Sequence, residues 1–307
     1  MTGVIDSLPE SGTGPTSTEP AASMHHSNAP EWDLIIRPQA GLFDLHLGDL
    51  WRYRDLVGLF VWRDFVALYK QTILGPLWYL VQALLTTVTF TIVFGNIAGL
   101  STDELPPFLF YMSGIVLWRY FADCLTHTST TFTKNARIFG KVYFPRLAIP
   151  VSVVLSHLIS FGIQFIQFVG FLVYFYWRGS PMQPSLWIVL SPLLVLIMAG
   201  LGLGFGIIIS SLTTRYRDLQ YLVQFGVQLA MYATPVIYPL SAVPERYRWI
   251  AMINPVAPVV ESFRFAYLGA GTVHTWGLLY SIGFVLLVLT VGILMFNRIE
   301  RTFMDTV

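Results

Sequence analysis

"TPVIYPLSAVPERYRWIAMINPVAP", residues 234–258, lies between two long apolar segments and decides how the chain is threaded. Its prolines, Pro235, Pro239, Pro244, Pro255 and Pro258, exclude an ordinary spanning helix, because each lacks an N–H and obstructs the preceding turn. Ile237, Tyr238, Trp249, Ile250 and Ile253 make it too apolar for a solvated connector. It belongs beside a membrane without crossing it in the usual way.

The composition agrees. Of 307 residues, 55% are hydrophobic and 11% charged, whereas a soluble domain carries about 25% charge. The deficit comes from uninterrupted apolar runs, so the chain is an integral membrane protein. The net charge of +1 is uninformative about nucleic acid, but no basic tract suits such a partner and none is expected. The single cysteine, Cys124, rules out an internal disulfide framework and, inside an apolar run, reads as a packed core residue. Residues 1–31, rich in Ser, Thr, Pro and Gly, cannot bury enough apolar surface to offset ordering entropy and are expected to form a disordered tail. The tail lacks the basic start and apolar core of a signal peptide. His25 and His26 have no further metal ligands beside them.

A helix needs about 20 mainly apolar residues to cross a bilayer. Six segments qualify: Leu77–Ala98, Phe108–Thr126, Leu147–Trp177, Leu186–Leu212, Leu219–Tyr238 and Trp276–Phe296. Positive charges fall unevenly between them. Arg63 and Lys70 precede the first span, Lys134, Arg137, Lys141 and Arg146 follow the second, Arg215 and Arg217 follow the fourth, and Arg298 and Arg301 follow the last. The alternate connectors hold Asp103 and Glu104, then Arg178 alone; the opening stretch has arginines, but also Glu245 and Glu261. This bias places both termini in the cytoplasm and residues 239–274 outside.

A seventh crossing by Ala257–Ala270 would break that parity. The piece is also only about 21 Å long as a helix and carries Glu261 and Arg264. Irregular backbone at membrane depth is tolerated only where protein or a cavity covers it. A re-entrant pair of short helices entering from outside fits best; a loop lying flat with Tyr247 and Trp249 as interfacial anchors is the alternative. The expected fold is all-α and integral to the membrane: a cytoplasmic segment (32–75), then a six-span domain (76–307) with re-entrant outer helices between spans five and six.

Before span one, "WRYRDLVGLFVWRDFVALYKQTILGPLW" (51–78) reads as an amphipathic helix along the cytoplasmic interface. Arg52, Asp55, Arg63 and Lys70 fall within about 80° of one another at helical periodicity, although Arg54 and Asp64 spoil a clean division. Leu74–Pro76 supplies the turn into the bilayer. Three spans carry polar stripes: Gln82, Thr86 and Thr89 on the first; His157, Ser160, Gln164 and Gln167 on the third; Gln220, Gln224, Gln228 and Tyr232 on the fifth. Intramembrane glutamines facing lipid are costly, so each stripe should face protein or water. Interhelical hydrogen bonding is the plain reading, and contact with a hydroxylated substrate the sharper one. Arg119 and Asp123, one turn apart, read as a local ion pair. Gly200/Gly204 and Gly202/Gly206 read as close helix packing.

"DFVALYKQTILGPLWYLVQALLTTVTFTIVFG" (64–95), "NARIFGKVYFPRLAIP" (135–150) and "YATPVIYPLSAVPERYRWIAMINPVAPVVESFR" together resemble the permease subunits of polysaccharide ABC exporters, with "LYKQTILGPLW", "PVIYP" and "NP" as the specific elements. These motifs occur in order from about residue 51 onward. The resemblance implies a bacterial inner-membrane subunit that moves lipid-linked O-antigen, teichoic acid, capsule or galactan chains. It also implies a homodimer working with two copies of a separate ATPase. The chain has no G-x-x-x-x-G-K-[ST] loop, so ATP and magnesium would sit on that partner and no cofactor on this chain.

By the same resemblance, Asn135–Pro150 couples to the ATPase, with Phe139, Tyr143 and Phe144 as anchors among Lys134, Asn135, Arg137 and Lys141. The first and fifth spans would line the channel through Gln82, Thr86, Thr89, Gln220, Gln224, Gln228 and Tyr232. Arg52, Arg54, Arg63 and Lys70 would meet the polyprenyl pyrophosphate of the substrate. Pro235, Tyr238, Pro239, Trp249, Asn254 and Pro255 would form an outer gate. Rival readings are a drug or small-lipid exporter, a membrane glycosyltransferase, and a scaffold without transport. The transferase would need paired acids with supporting bases, and Asp103/Glu104 and Glu245/Glu261 have none.

Overall fold

The chain is described from two short helices, α1 (Leu47–Arg52) and α2 (Arg54–Tyr69), which break at Tyr53. The structure is a computed structural model and describes residues 47–70, 72–139, 144–213, 216, 218–271 and 273–304. The expected tail and the His25–His26 pair lie outside those residues. Gly75, at a φ of +50° that a side chain would resist, turns the chain into α3 (Leu77–Phe90). That helix continues as a π-helical stretch, Thr91–Ile97. Then come α4 (Pro107–Thr128), α5 (Thr131–Phe139), α6 (Ala148–Trp177), α7 (Ser191–Thr213) and α8 (Leu219–Ala233). Two short helices, α9 (Glu245–Ile253) and α10 (Ala257–Leu268), precede the last, α11 (Thr275–Met304). No strand occurs among the described residues.

Five stretches among the described residues are long and apolar enough to cross a membrane: Leu77–Ile97, Pro107–Thr128, Ala148–Trp177, Leu186–Thr213 and Thr275–Arg298. The segment expected as span five is different. It is helical for 15 residues and stops at Ala233 rather than Tyr238, because Pro235 obstructs the turn before it. At about 22 Å it is shorter than a hydrocarbon core of about 30 Å.

Helix α4 is the centre of the bundle, buried along most of its length and packed by α3, α6, α7, α8 and α10. Small residues permit this. A Cβ at Gly202 would stand 2.6 Å from Cys124 Cβ, and one at Gly206 2.5 Å from Thr128 Cβ, both on α4. A Cβ at Gly200 or Gly204 would instead meet Val285 or Val288 of α11 at 2.6 or 2.8 Å. The two overlapping glycine patterns therefore serve two different neighbours. Cys124 is a buried free thiol in that contact.

Connectors gather at the two ends. At one end, Ser241 Oγ donates to Asp103 Oδ1 at 2.6 Å, joining the loop after the π-helical stretch to the proline segment. Ser185 N donates to the Ala266 carbonyl at 2.9 Å, bringing in the α6–α7 connector. At the other end, Phe132 N donates to Ser210 Oγ at 3.2 Å and Thr213 Oγ1 to the Ser129 carbonyl at 3.1 Å. Val57, Phe132, Phe144, Ala148, Ile149, Ile207 and Phe296 form a separate apolar cluster there.

Helix α2 departs from the expected amphipathic pattern. Val57 is buried in that cluster with Leu56, Phe60 and Val61 packed on it, while Trp51, Leu59 and Trp62 are exposed. Apolar side chains thus leave α2 on two sides, one covered by this chain and one open. The break at Tyr53 also removes Arg52 from the continuous stripe.

Candidate functional site

The proline segment is held by a buried arginine. Between Thr234 and Tyr238 the backbone is not helical, so its carbonyls need other donors. Arg264 of α10, 1% exposed, supplies them: Nη1 donates to the Pro235 carbonyl and Nη2 to the Val236 carbonyl, both at 2.6 Å. The planar fork of a guanidinium can hold two acceptors at once, which an ammonium cannot do in fixed geometry. Its carbon lies 3.8 Å from the centroid of the Phe110 ring on α4. Gly114, one turn on, makes room: a Cβ there would stand 2.9 Å from Arg264 Nη2 and 3.1 Å from the Val236 carbonyl.

Glu261 completes the anchor. Its Oε1 lies 3.4 Å from Arg264 Nη1 and accepts from Leu240 N at 3.3 Å. Burial pushes this carboxyl above the usual carboxylate range, while Arg264 and the backbone donor pull it back. Burial likewise lowers the guanidinium, to about 10, which leaves it charged at neutral pH. The pair argued in sequence against a membrane crossing; in the fold it sits inside the protein and fixes the very segment in question. An oppositely charged pair at i and i+3 in a short apolar helix was the signal, since such groups face inward.

The Asn254–Pro255 corner between α9 and α10 is fixed independently. Asn254 Nδ2 donates to Thr234 Oγ1 at 2.7 Å, and its Oδ1 accepts from Val256 N at 3.0 Å. From α11, Tyr280 Oη donates to the Ile253 carbonyl at 2.8 Å and Ser281 Oγ to the Pro255 carbonyl at 2.7 Å. Among the expected gate residues, Pro235 and Pro239 are buried, Tyr238, Asn254 and Pro255 are half-buried, and Trp249 is exposed.

The polar stripes separate into covered and open ones. On α6, His157, Ser160 and Gln164 are buried, and Gln167 Nε2 donates to the Leu80 carbonyl of α3 at 3.3 Å, which is interhelical bonding. On α3, Gln82 and Thr89 are exposed and Thr86 is half-buried. Gln82 Oε1 accepts from Arg119 Nη2, and Arg119 Nε lies 3.8 Å from Asp123 Oδ2, the expected ion pair. On α8, Val223, Val227, Ala230 and Met231 pack toward the core. Gln224, Gln228 and Tyr232 stand on uncovered surface, with Gln220 half-buried. No residue of α8 is fully buried.

At the opposite end, α5 presents Lys134 exposed and Asn135 half-buried, with Asn135 Nδ2 donating to the Thr131 carbonyl at 3.0 Å. Arg137 and Phe139 lie on this helix; Lys141 and Tyr143 lie outside the described residues. Phe144 is buried, its ring 5.7 Å from that of Phe60, so it is spent inside this chain. Arg52, Arg54, Arg63 and Lys70 are exposed. Arg54 lies 3.8 Å from Asp55 and Arg63 2.7 Å from Asp64.

A family model described as ABC-2 type transporter matches residues 55–268, from α2 through the last residue of α10. The chain belongs to that family. Two O-antigen export system permease proteins of Klebsiella pneumoniae are similar to it, at 29% identity over 254 residues and 30% over 253, each covering 82% of this chain and 94% of the relative. An O-antigen export system permease of Myxococcus xanthus is 27% identical over 219 residues, covering 70% of this chain and 81% of the relative. An inner membrane transport permease of Escherichia coli K12 is 22% identical over 217 residues, 68% of this chain and 80% of the relative. This ABC-2 transporter chain is a permease, a multi-pass protein of the inner membrane. The family match ends at the helix that carries Arg264 and Glu261.

Proposed function

We propose that this permease exports a lipid-linked polysaccharide, as a pair of identical chains driven by two copies of a separate ATPase. The observation that carries the reading is the pair of uncovered polar faces, Gln82 and Thr89 on α3 and Gln224, Gln228 and Tyr232 on α8. Glutamines left toward lipid are costly, and a second copy facing these helices would remove that cost while enclosing a hydroxyl-compatible path. The O-antigen export named for the relatives supports the substrate class.

In this reading α8 is a sixth crossing. Thr213, just before it, bonds to Ser129 at one end, and Leu240, just after it, bonds to Glu261 among the connectors at the other. Both termini are then cytoplasmic, and α9 and α10 form a re-entrant pair from outside that gates the path. The exposed face of α2, with Trp51, Leu59 and Trp62, lies along the inner interface. Arg52, Arg54, Arg63 and Lys70 meet the substrate's pyrophosphate there. The segment that begins with α5 receives the ATPase stroke through Lys134, Arg137 and Phe139 on the helix and Lys141 and Tyr143 after it, while Phe144 ties it to α2.

Deleting the gene is expected to trap polyprenyl-linked glycan in the cytoplasm. Normal surface glycan in the deletion strain would sink the proposal. A second reading, export of a small lipid, has one observation in its favour: an almost wholly apolar groove of about 360 Å3 between α4, α7 and α8, walled by Trp118, Phe121, Phe205 and Val227. Under that reading the deletion strain shows normal surface glycan and an altered lipid profile.

A further inference from the structure

Beside the buried anchor is a cavity of about 290 Å3, bounded by Leu240, Pro258 and Glu261 on one side and by His274, Trp276 and Tyr280 on the other. It is distinct from the open polar faces of α3 and α8, shares Leu240 and Glu261 with the anchor, and lies at the bundle end where the proline segment sits. Its size is at the small end of ligand pockets, about 300–1,000 Å3, which suits one sugar ring better than a drug-sized molecule.

We propose that this cavity is a monosaccharide site on the outer face, holding a sugar unit of the exported chain. The identity of that ligand rests on the polysaccharide reading above. Two features of the walls argue for a sugar. Trp276 and Tyr280 stand at i and i+4 on α11, so their rings share one side of the cavity. Flat aromatic faces take the C–H faces of a pyranose, and Trp276, 84% exposed, loses a large apolar area when covered. Opposite them is the Glu261 carboxylate, almost fully buried, an acceptor for ring hydroxyls.

Apart from the exposed Trp276, the polar and aromatic walls are already fixed without a ligand. Tyr280 is held by its bond to the Ile253 carbonyl, and Glu261 by Leu240 N and Arg264. Gly277 brings α11 against α10, since a Cβ there would stand 3.1 Å from Pro258. A site built this way orders few side chains on binding, which lowers the cost of association.

Charge decides against the other ligand such a cavity suggests, an ammonium headgroup over the aromatic rings. The Glu261 carboxyl is already engaged by Arg264 at 3.4 Å. A cation would have to displace Arg264 from that carboxyl, whereas a neutral polyol needs only hydrogen-bond acceptors and apolar faces.

The test uses the full chain in phosphatidylglycerol nanodiscs and saturation-transfer NMR with methyl glycosides of glucose, galactose, mannose, rhamnose and N-acetylglucosamine at about 20 mM, suited to weak binding. At least one glycoside is expected to receive saturation. Trp276→Ala should weaken that signal about five- to tenfold through loss of stacking, and Trp276→Phe should restore most of it. Trp177→Ala, removing another tryptophan that is 83% exposed, should leave the signal unchanged. No transfer to any glycoside, or equal transfer in Trp276→Ala and Trp177→Ala, overturns the proposal. Transfer to choline or ethanolamine but to no glycoside overturns it in favour of a lipid headgroup. These readouts do not depend on export, so they fail separately from the deletion experiment.

Discussion

Replacing Arg264 by leucine should loosen the proline segment and lower the stability of the whole permease. The variant strips the Pro235 and Val236 carbonyls of their donors and leaves Glu261 buried with Leu240 N as its remaining named partner. Removing one member of a buried ion pair costs about 3–5 kcal/mol. Arg264→Lys keeps a positive charge near Glu261 but cannot hold both carbonyls, so its cost is one orphaned acceptor, about 1–3 kcal/mol. Arg246→Leu, at an exposed position on α9, should fall within about 0.5 kcal/mol of the parent. With about 2–4 °C per kcal/mol for a chain of this size, Arg264→Leu should melt roughly 6–20 °C lower and Arg264→Lys should lie between it and the parent. The assay is the temperature at which half of the detergent-solubilised permease still elutes as a single species. A midpoint for Arg264→Leu within about 2 °C of Arg246→Leu would refute the claim that the guanidinium holds this turn.

Three further outcomes follow from packing and use the same measurement. Gly202→Val should destabilise by about 1–3 kcal/mol through overpacking, because a Cβ there already meets Cys124 and the Phe121 carbonyl; Gly226→Ala, with nothing within 4 Å, should gain about 0.5–1 kcal/mol from the lost flexibility of a helical glycine. Phe144→Ala should cost about 3–5 kcal/mol as a buried aromatic truncation, and an unchanged midpoint would mean that its ring does not support the cluster with Phe132 and Phe296.

Apolar length gave the helical class and five of the six expected stretches of spanning length, because a bilayer demands long uninterrupted runs whatever surrounds them. The Gly200–Gly206 run announced close contact, yet only the fold assigns its two patterns to α4 and α11. What the sequence hid was tertiary. Periodicity treats α2 as one amphipathic surface, but Val57 is claimed by the cluster around Phe132 and Phe296. Phe144 looked like a docking aromatic because it follows a basic loop, and nothing local reveals that Phe60 lies against it. Arg264 and Glu261 were legible as charges in an apolar helix, while their acceptors at Pro235, Val236 and Leu240 come from residues 21–29 positions away.

Helix α4 touches the anchor through Phe110 and Gly114 near one end and α7 through Thr128 at the other. Its 22 residues make a rod about 33 Å long, and on the α7 side its contacts with Gly202 and Gly206 leave no slack. Interiors packed to crystal density transmit strain rather than absorb it. Displacing one end of α4 alone would open voids around Cys124 and Thr128, so the rod moves as a unit or stays still. The proline turn and the α5 side of the molecule therefore share one mechanical degree of freedom, the position of a single helix.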